Sequence, residues 1–136
     1  MSEVTPLTVN DPASLALAVV DDTPDIRALL RMAFERSGQY KVVGEAENGQ
    51  DAIELAEARC PDVMLLDLAM PVMDGLSAAP LVRERCPDTT IVMLSAFDAT
   101  EMTGRALAAG AHGYIQKGMP MKKLVATVTE IVQSRN

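Results

Sequence analysis

Basic residues are scarce in this sequence. Twelve lysines and arginines stand against 19 aspartates and glutamates, a formal net charge of −7. That balance argues against a general nucleic-acid or anionic-membrane binder, which needs a basic face. Metal-binding side chains of the soft kind are equally few. One histidine, His112, and two cysteines, Cys60 and Cys86, cannot build a His/Cys zinc site of the usual ligand count without carboxylates. The two cysteines could form one disulfide, but each lies in a Cys-Pro-Asp connection between a helix and a strand. A core of this size needs no such staple, so reduced thiols and a cytoplasmic setting are expected. A secretory leader is not expected either: Met1-Ser2-Glu3-Val4 lacks a basic start, and the apolar run Leu15–Val20 ends at two aspartates. That run falls far short of the roughly 20 residues that span a bilayer.

What is present suits one globular domain. The 136 residues are 49% hydrophobic and 23% charged, near the common size and composition of a single-core domain. Residues 1–14, with Pro6 and Pro12, read as a flexible lead-in and residues 15–136 as the domain. Charge is unevenly spread: residues 1–101 hold 18 acids and 7 bases, and residues 102–136 hold 1 acid and 5 bases. Blocks of opposite sign within one small domain call for a reason.

From Leu15 the pattern alternates. Apolar runs at Leu15–Val20, Tyr40–Gly44, Val63–Leu66, Ile91–Leu94 and Gly113–Ile115 recur at the spacing of a strand-plus-helix unit. The second to fourth do not alternate with polar residues, as befits strands buried on both faces of a parallel sheet. Thr23-Pro24 signals a helix start, followed by Ile26, Leu29, Leu30, Ala33 and Phe34 on one face and Gly38 as the stop. A second helix runs from Asn48-Gly49 to Arg59. A third covers about Leu76–Arg85, with Pro80 expected to kink or delay it. The last starts at Pro120 with Met121, Leu124, Val125, Val128 and Val132 on one face. Arg59-Cys60-Pro61-Asp62 and Arg85-Cys86-Pro87-Asp88 repeat one helix-to-strand junction. The predicted fold is α/β, a five-stranded parallel sheet flanked by five helices with right-handed crossovers. No P-loop or Gly-x-Gly-x-x-Gly follows the first strand, so nucleotide binding has no support.

In such sheets the ligand site lies beyond the carboxyl ends of the strands. There the first strand ends in Asp21-Asp22, the third in Asp67 and the fourth in Ser95, and Lys117 follows the fifth. Clustered carboxylates repel unless a cation offsets them, and an oxygen-only set suits Mg²⁺ better than a soft metal. A lysine and a hydroxyl alongside point to an anion with several oxygens, most simply a phosphoryl group. Taken singly, Asp21 or Asp22 also suits a cap for the Pro24 helix, Ser95 a cap, and Lys117 a solvated lysine. Jointly, the placement of all five argues for a site.

The residues resemble those of a receiver domain of a two-component response regulator, over about Leu15 to Val132. The matching strings are Val20-Asp21-Asp22, Leu65-Leu66-Asp67-Leu68-Ala69-Met70-Pro71-Val72-Met73-Asp74-Gly75, Met93-Leu94-Ser95-Ala96 and Gly110-Ala111-His112-Gly113-Tyr114-Ile115-Gln116-Lys117. The string around Asp67 is the most specific. The resemblance implies a flavodoxin-like sheet of order 2-1-3-4-5. It implies Asp67 as phosphoacceptor from a histidine kinase or phosphotransfer protein. It also implies Mg²⁺ (with Mn²⁺ as a substitute) held by Asp22, Asp67 and the Ala69 backbone carbonyl, and by Asp21 through water. Lys117 and Ser95 would bind phosphoryl oxygens, and Tyr114 would report the movement of Ser95. The face formed by the fourth helix, fifth strand and fifth helix would then switch its protein contacts, including a phosphorylation-dependent homodimer. Pro71 and Gly75 would shape the loop after Asp67. The domain itself would be a phosphoacceptor rather than an enzyme acting on other substrates. It would bind neither nucleic acid nor membrane, and would serve a downstream protein or a fused output domain.

Several features qualify the match. Gly118 follows Lys117 where many receivers have proline, and the next proline is Pro120; that form resembles regulators carrying a C-terminal helix-turn-helix. Bulky Phe97, two residues after Ser95, is expected to hinder an attacking water. His112 is expected at the surface, Lys122 and Lys123 as a solvated helix start, and the nine methionines mostly as core filler. A haloacid-dehalogenase-like phosphatase would want Asp-x-Asp after the first strand, but the residues are Asp21-Asp22-Thr23. A phosphate-independent interaction domain would be favoured by loss of the acids or of Lys117, and all are present.

Overall fold

A computed structural model describes residues 14–135. The expected lead-in thus lies outside the described residues, apart from Ser14. The chain alternates β1 (Leu15–Val20), α1 (Pro24–Arg36), β2 (Tyr40–Ala46), α2 (Gly49–Arg59), β3 (Val63–Leu66), α3 (Gly75–Arg85), β4 (Thr90–Ser95), α4 (Ala99–Ala109), β5 (Gly113–Gln116) and α5 (Met121–Gln133). All neighbouring strands pair in parallel, in the order β2-β1-β3-β4-β5. This is the expected 2-1-3-4-5 sheet, and strand order reverses beside β1.

Alternation along the strands divides the core into two layers. Leu17 and Val19 of β1 face α1 and α5, where they join Leu30, Phe34, Leu65, Val92, Leu124 and Val128. Ala18 and Val20 point the other way, to Met64, Leu66, Ile91, Met93 and the inner faces of α2, α3 and α4. All four residues of β3 and all six of β4 are buried. Sheets sandwiched between helices require such continuous apolar strands. On the first helix Leu30 and Phe34 are buried as the pattern predicts, whereas Leu29 is half exposed.

Helix ends follow local chemistry. Asn48 caps α2 by accepting from the Asp51 N–H, and Asp74 caps α3 by accepting from the Ser77 N–H. Thr23 occupies the N-cap of α1, but its side chain makes no capping bond. Gly38 adopts a left-handed φ of +79° just past α1, the conformation that ends helices. Pro80 does not delay α3: the helix begins at Gly75, one residue before the expected start, and continues through Pro80 to Arg85.

The expectation of reduced thiols is overturned. Cys60 and Cys86 are joined in a disulfide, with Cα atoms 5.6 Å apart. The cause lies in the helix packing. Ala52 and Ala56 of α2 and Ala78 and Ala79 of α3 are fully buried against the sheet, and small side chains let two helices approach closely. The repeated junction then ends both helices side by side, with a cysteine as the C-cap of each.

Candidate functional site

Sheet register builds the site. Val20 pairs with Leu66 in the β1–β3 ladder, so the next residues, Asp21 and Asp67, emerge level with each other. The Asp67 N–H donates to the Val20 carbonyl at 2.9 Å and holds that alignment. Ser95 pairs with Gln116 across β4 and β5, and Lys117 follows, its N–H donating to the Ser95 carbonyl at 2.7 Å. Four strands therefore deliver an acid pair, an acid, a hydroxyl and an amine to one edge of the sheet.

Asp21 is 2% exposed and fully engaged. Its Oδ1 accepts from the Thr23 N–H at 2.9 Å and its Oδ2 from Lys117 Nζ at 2.8 Å. The first bond turns the chain towards α1 and the second pairs the acid with the lysine; the N-cap of α1 is Thr23, not Asp21 or Asp22. Asp67, 6% exposed, accepts from the Leu68 N–H at 2.8 Å, and Lys117 Nζ lies 3.6 Å from its Oδ2. Asp22 is exposed to solvent, and Ala69 lies on the exposed segment two residues beyond Asp67. One oxygen each of Asp21, Asp22 and Asp67 lie within 4.8 Å of one another. Three carboxylates face a single ammonium, so the pocket carries surplus negative charge. Its hard oxygen donors, with Asp22 open to water, fit a divalent cation.

The electrostatics follow. Burial pushes the Asp67 carboxyl above its ordinary value and the neighbouring Asp21 adds to the rise, against the opposing pull of Lys117, the Leu68 N–H and Ser95. Burial also works against the Lys117 ammonium, but its bond to Asp21 and the charge of Asp67 outweigh this and raise its pKa. Because Asp67 holds its proton more tightly when folded, its stabilising contribution is complete below about pH 3.8, the unfolded value, and is lost as pH rises through its folded pKa. In metal-free buffer, Asp67→Asn is therefore expected to melt a few degrees above wild type at pH 7, with the gap closing towards pH 4. Thermal melts across that range check it; a variant that melts lower at pH 7 would contradict the raised Asp67 pKa.

The loop after Asp67 is tightly tied. Gly75 N–H donates to the Leu68 carbonyl at 2.8 Å, Gly49 N–H to the Met73 carbonyl at 2.8 Å, and Met73 N–H to the Pro71 carbonyl at 2.7 Å. The last bond closes a three-residue turn whose apex, Val72, has φ +69° and is 82% exposed. A β-branched residue in that region is strained.

A second cluster adjoins the pocket. Ser95 is buried at the end of β4, and Asp98 rather than Ser95 caps α4, accepting from the Thr100 N–H at 2.7 Å. The Tyr114 hydroxyl donates to the Phe97 carbonyl at 2.7 Å, and Gln116 Oε1 accepts from the Ala99 N–H at 3.0 Å. Two bonds thus latch β5 to the start of α4. The Phe97 side chain is 49% exposed, and Lys122 and Lys123 are exposed as expected.

Arg27 escaped the sequence reading. Arg27 donates to the Asp21 carbonyl at 2.6 Å while pairing with Glu45 at 3.1 Å, which braces the acid-bearing turn from α1 and β2. Its one signal was a cation in the first helical turns after the acid pair. His112 is half-buried rather than a surface residue: its Nδ1 accepts from the Ile91 N–H at 3.0 Å. Burial, with Arg135 and Arg83 nearby, lowers its pKa to about 4.

Residues 17–129 match the family of response regulator receiver domains. The chain belongs to that family, and is a receiver domain of the two-component signalling systems. It is 37% identical over 125 residues to the transcriptional regulatory protein NarL of Mycobacterium tuberculosis, covering 92% of this chain and 58% of that one. To the nitrate/nitrite response regulator protein NarL of Escherichia coli K12 it is 39% identical over 115 residues, covering 85% and 52%. The solved signal receiver domain of M. tuberculosis NarL superposes with a TM-score of 0.85 at 37% identity, covering 91% of this chain and all of that one. The chain spans about half the length of the curated relatives it matches. No helix among the described residues is long and apolar enough to cross a membrane.

Proposed function

We propose that Asp67 is the phosphoacceptor of a switch that signals by protein contact. The carrying observation is the register that sets Asp21, Asp22 and Asp67 within reach of one another, with Lys117 bonded to Asp21 and 3.6 Å from Asp67. The donor is a sensor histidine kinase or a phosphotransfer protein. An Asp67 oxygen attacks phosphorus, the phosphorus–nitrogen bond breaks, and the imidazole leaves with the electron pair. Asp22, Asp67 and the Ala69 carbonyl would hold Mg²⁺, or Mn²⁺ in its place, with Asp21 reached through water. The ion supplies charge neutralisation for the transferring oxygens. Lys117 leaves Asp67 to pair with a phosphoryl oxygen, and Asp21, already committed to Lys117 and Thr23, orients that amine.

Ser95 then bonds another phosphoryl oxygen. Because Tyr114 and Gln116 tie β5 to the loop after Ser95, that movement strains both bonds and resets the α4–β5–α5 face. The readout is a downstream protein, a homodimer through that face, or a fused DNA-binding domain, which the length of the transcriptional relatives favours. The domain promotes only its own phosphorylation and dephosphorylation, in the cytoplasm, and contacts no nucleic acid itself.

Hydrogen exchange before and after treatment with acetyl phosphate and Mg²⁺ tests the switch. Altered protection at residues 96–99 and 113–123 is expected. Change confined to the loop after Asp67 would contradict it. In the same samples Phe97→Ala is expected to shorten the phosphoryl lifetime several-fold, since the ring would no longer obstruct water; an unchanged lifetime would remove that role.

A further inference from the structure

The Cys60–Cys86 pair stands apart from the phosphoacceptor chemistry, at the opposite ends of the strands, where α2 and α3 run out into β3 and β4. We propose that it is a reversible thiol–disulfide site, a covalent modification point separate from phosphorylation. Three observations carry it. The Cα atoms of the bonded pair are 5.6 Å apart, an ordinary span for a disulfide. The two residues differ in access: Cys60 is exposed, whereas Cys86 is 3% exposed. The reduced state is also provided for, because the Ala56 carbonyl lies 3.1 Å from Cys86 Sγ and can accept the S–H of the buried thiol.

Access sets the order of events. The Cys60 thiolate attacks a low-molecular-weight disulfide of the glutathione type, forming a mixed disulfide and expelling one thiolate. The Cys86 thiolate then attacks the Cys60 sulfur and expels the second. Two electrons pass to the incoming disulfide, and its two thiolates take up the protons released by the protein. A dithiol reductant of the thioredoxin class reverses the sequence by attacking Cys60, the sulfur within its reach. Closure bolts the ends of α2 and α3 together and shortens the open chain by a loop of 26 residues.

The full chain is equilibrated with glutathione disulfide, or with thioredoxin, its reductase and NADPH, then assayed for titratable thiols, intact mass and melting temperature. Oxidation is expected to remove both thiols with a loss of about 2 Da and to raise the melting temperature by about 10 °C for a loop of this length. The thioredoxin system is expected to restore both thiols. Cys60→Ser, at the exposed position, should fold and show no oxidation-dependent rise. Two thiols persisting in glutathione disulfide would overturn the proposal. So would a bond that resists thioredoxin, which would make it a permanent staple. Neither outcome depends on Asp67 being phosphorylated.

Discussion

Gly75→Ala is expected to destabilise the domain by about 3 kcal/mol, a fall of roughly 10 °C in melting temperature. A Cβ on Gly75 would drive into the Asp67 carbonyl oxygen and sit 3.1 Å from the Asp67 carbonyl carbon and 3.2 Å from the Leu68 Cα. These are backbone atoms of the buried β3 end, so no flexible side chain can swing away. The backbone must shift, and the Gly75 N–H would lose its alignment with the Leu68 carbonyl, 2.8 Å away. Since the displaced carbonyl belongs to Asp67, the variant should also phosphorylate poorly where it remains folded. Gly38→Ala is the control for glycine replacement elsewhere: nothing lies within 4 Å of its added Cβ, so only left-handed strain of about 1 kcal/mol is incurred there. Thermal melts of the two variants check the contrast, and equal losses would contradict the packing assigned to Gly75.

Lys117→Met keeps the aliphatic stem and removes the charge. Phosphorylation by acetyl phosphate in Mg²⁺ is expected to slow by about 10²-fold, the usual cost of losing one preorganised partner to developing negative charge. In the resting protein the amine bonds Asp21 at 2.8 Å and stands 3.6 Å from Asp67, so its loss leaves three carboxylates facing one another. The Asp67 pKa should rise further, which lowers the share of nucleophilic carboxylate at neutral pH. Lys117→Arg, which retains charge but not shape, is expected to fall between the two. The rate of adduct formation by intact mass decides it; a Lys117→Met rate within threefold of wild type would remove the lysine from the transfer step.

Much of this was legible in the residues because burial on both faces leaves a plain mark. Val63–Leu66 carries no polar alternation and is buried at every position. The acids were legible for a related reason: a charged residue directly after such a run can only emerge at the strand's end. Contacts between distant segments left no comparable mark. The disulfide depends on how closely α2 and α3 approach, which alanines at four separate positions decide. Val72 carries a left-handed φ that nothing about valine announces. His112 looked like a surface residue because its acceptor role depends on the Ile91 N–H, 21 residues away in the chain. Pro80 was expected to kink or delay α3, and the delay does not occur: the Asp74 cap and the buried Ala78, Ala79 and Val82 hold the helix from Gly75 through it. Of the bases in the C-terminal stretch, Lys117 pairs with Asp21 and Arg135 donates to Thr90 and to the Pro87 and Asp88 carbonyls, while Lys122 and Lys123 stay in solvent.

The most direct measurement is intact mass after incubation with Mg²⁺ and acetyl phosphate. Wild type should gain a single phosphoryl group, labile to hydroxylamine as an acyl phosphate must be, and should gain none when the metal is chelated before the donor is added. Asp67→Asn should gain none. A wild type that stays unmodified, or an adduct that persists in Asp67→Asn, would contradict Asp67 as the phosphoacceptor.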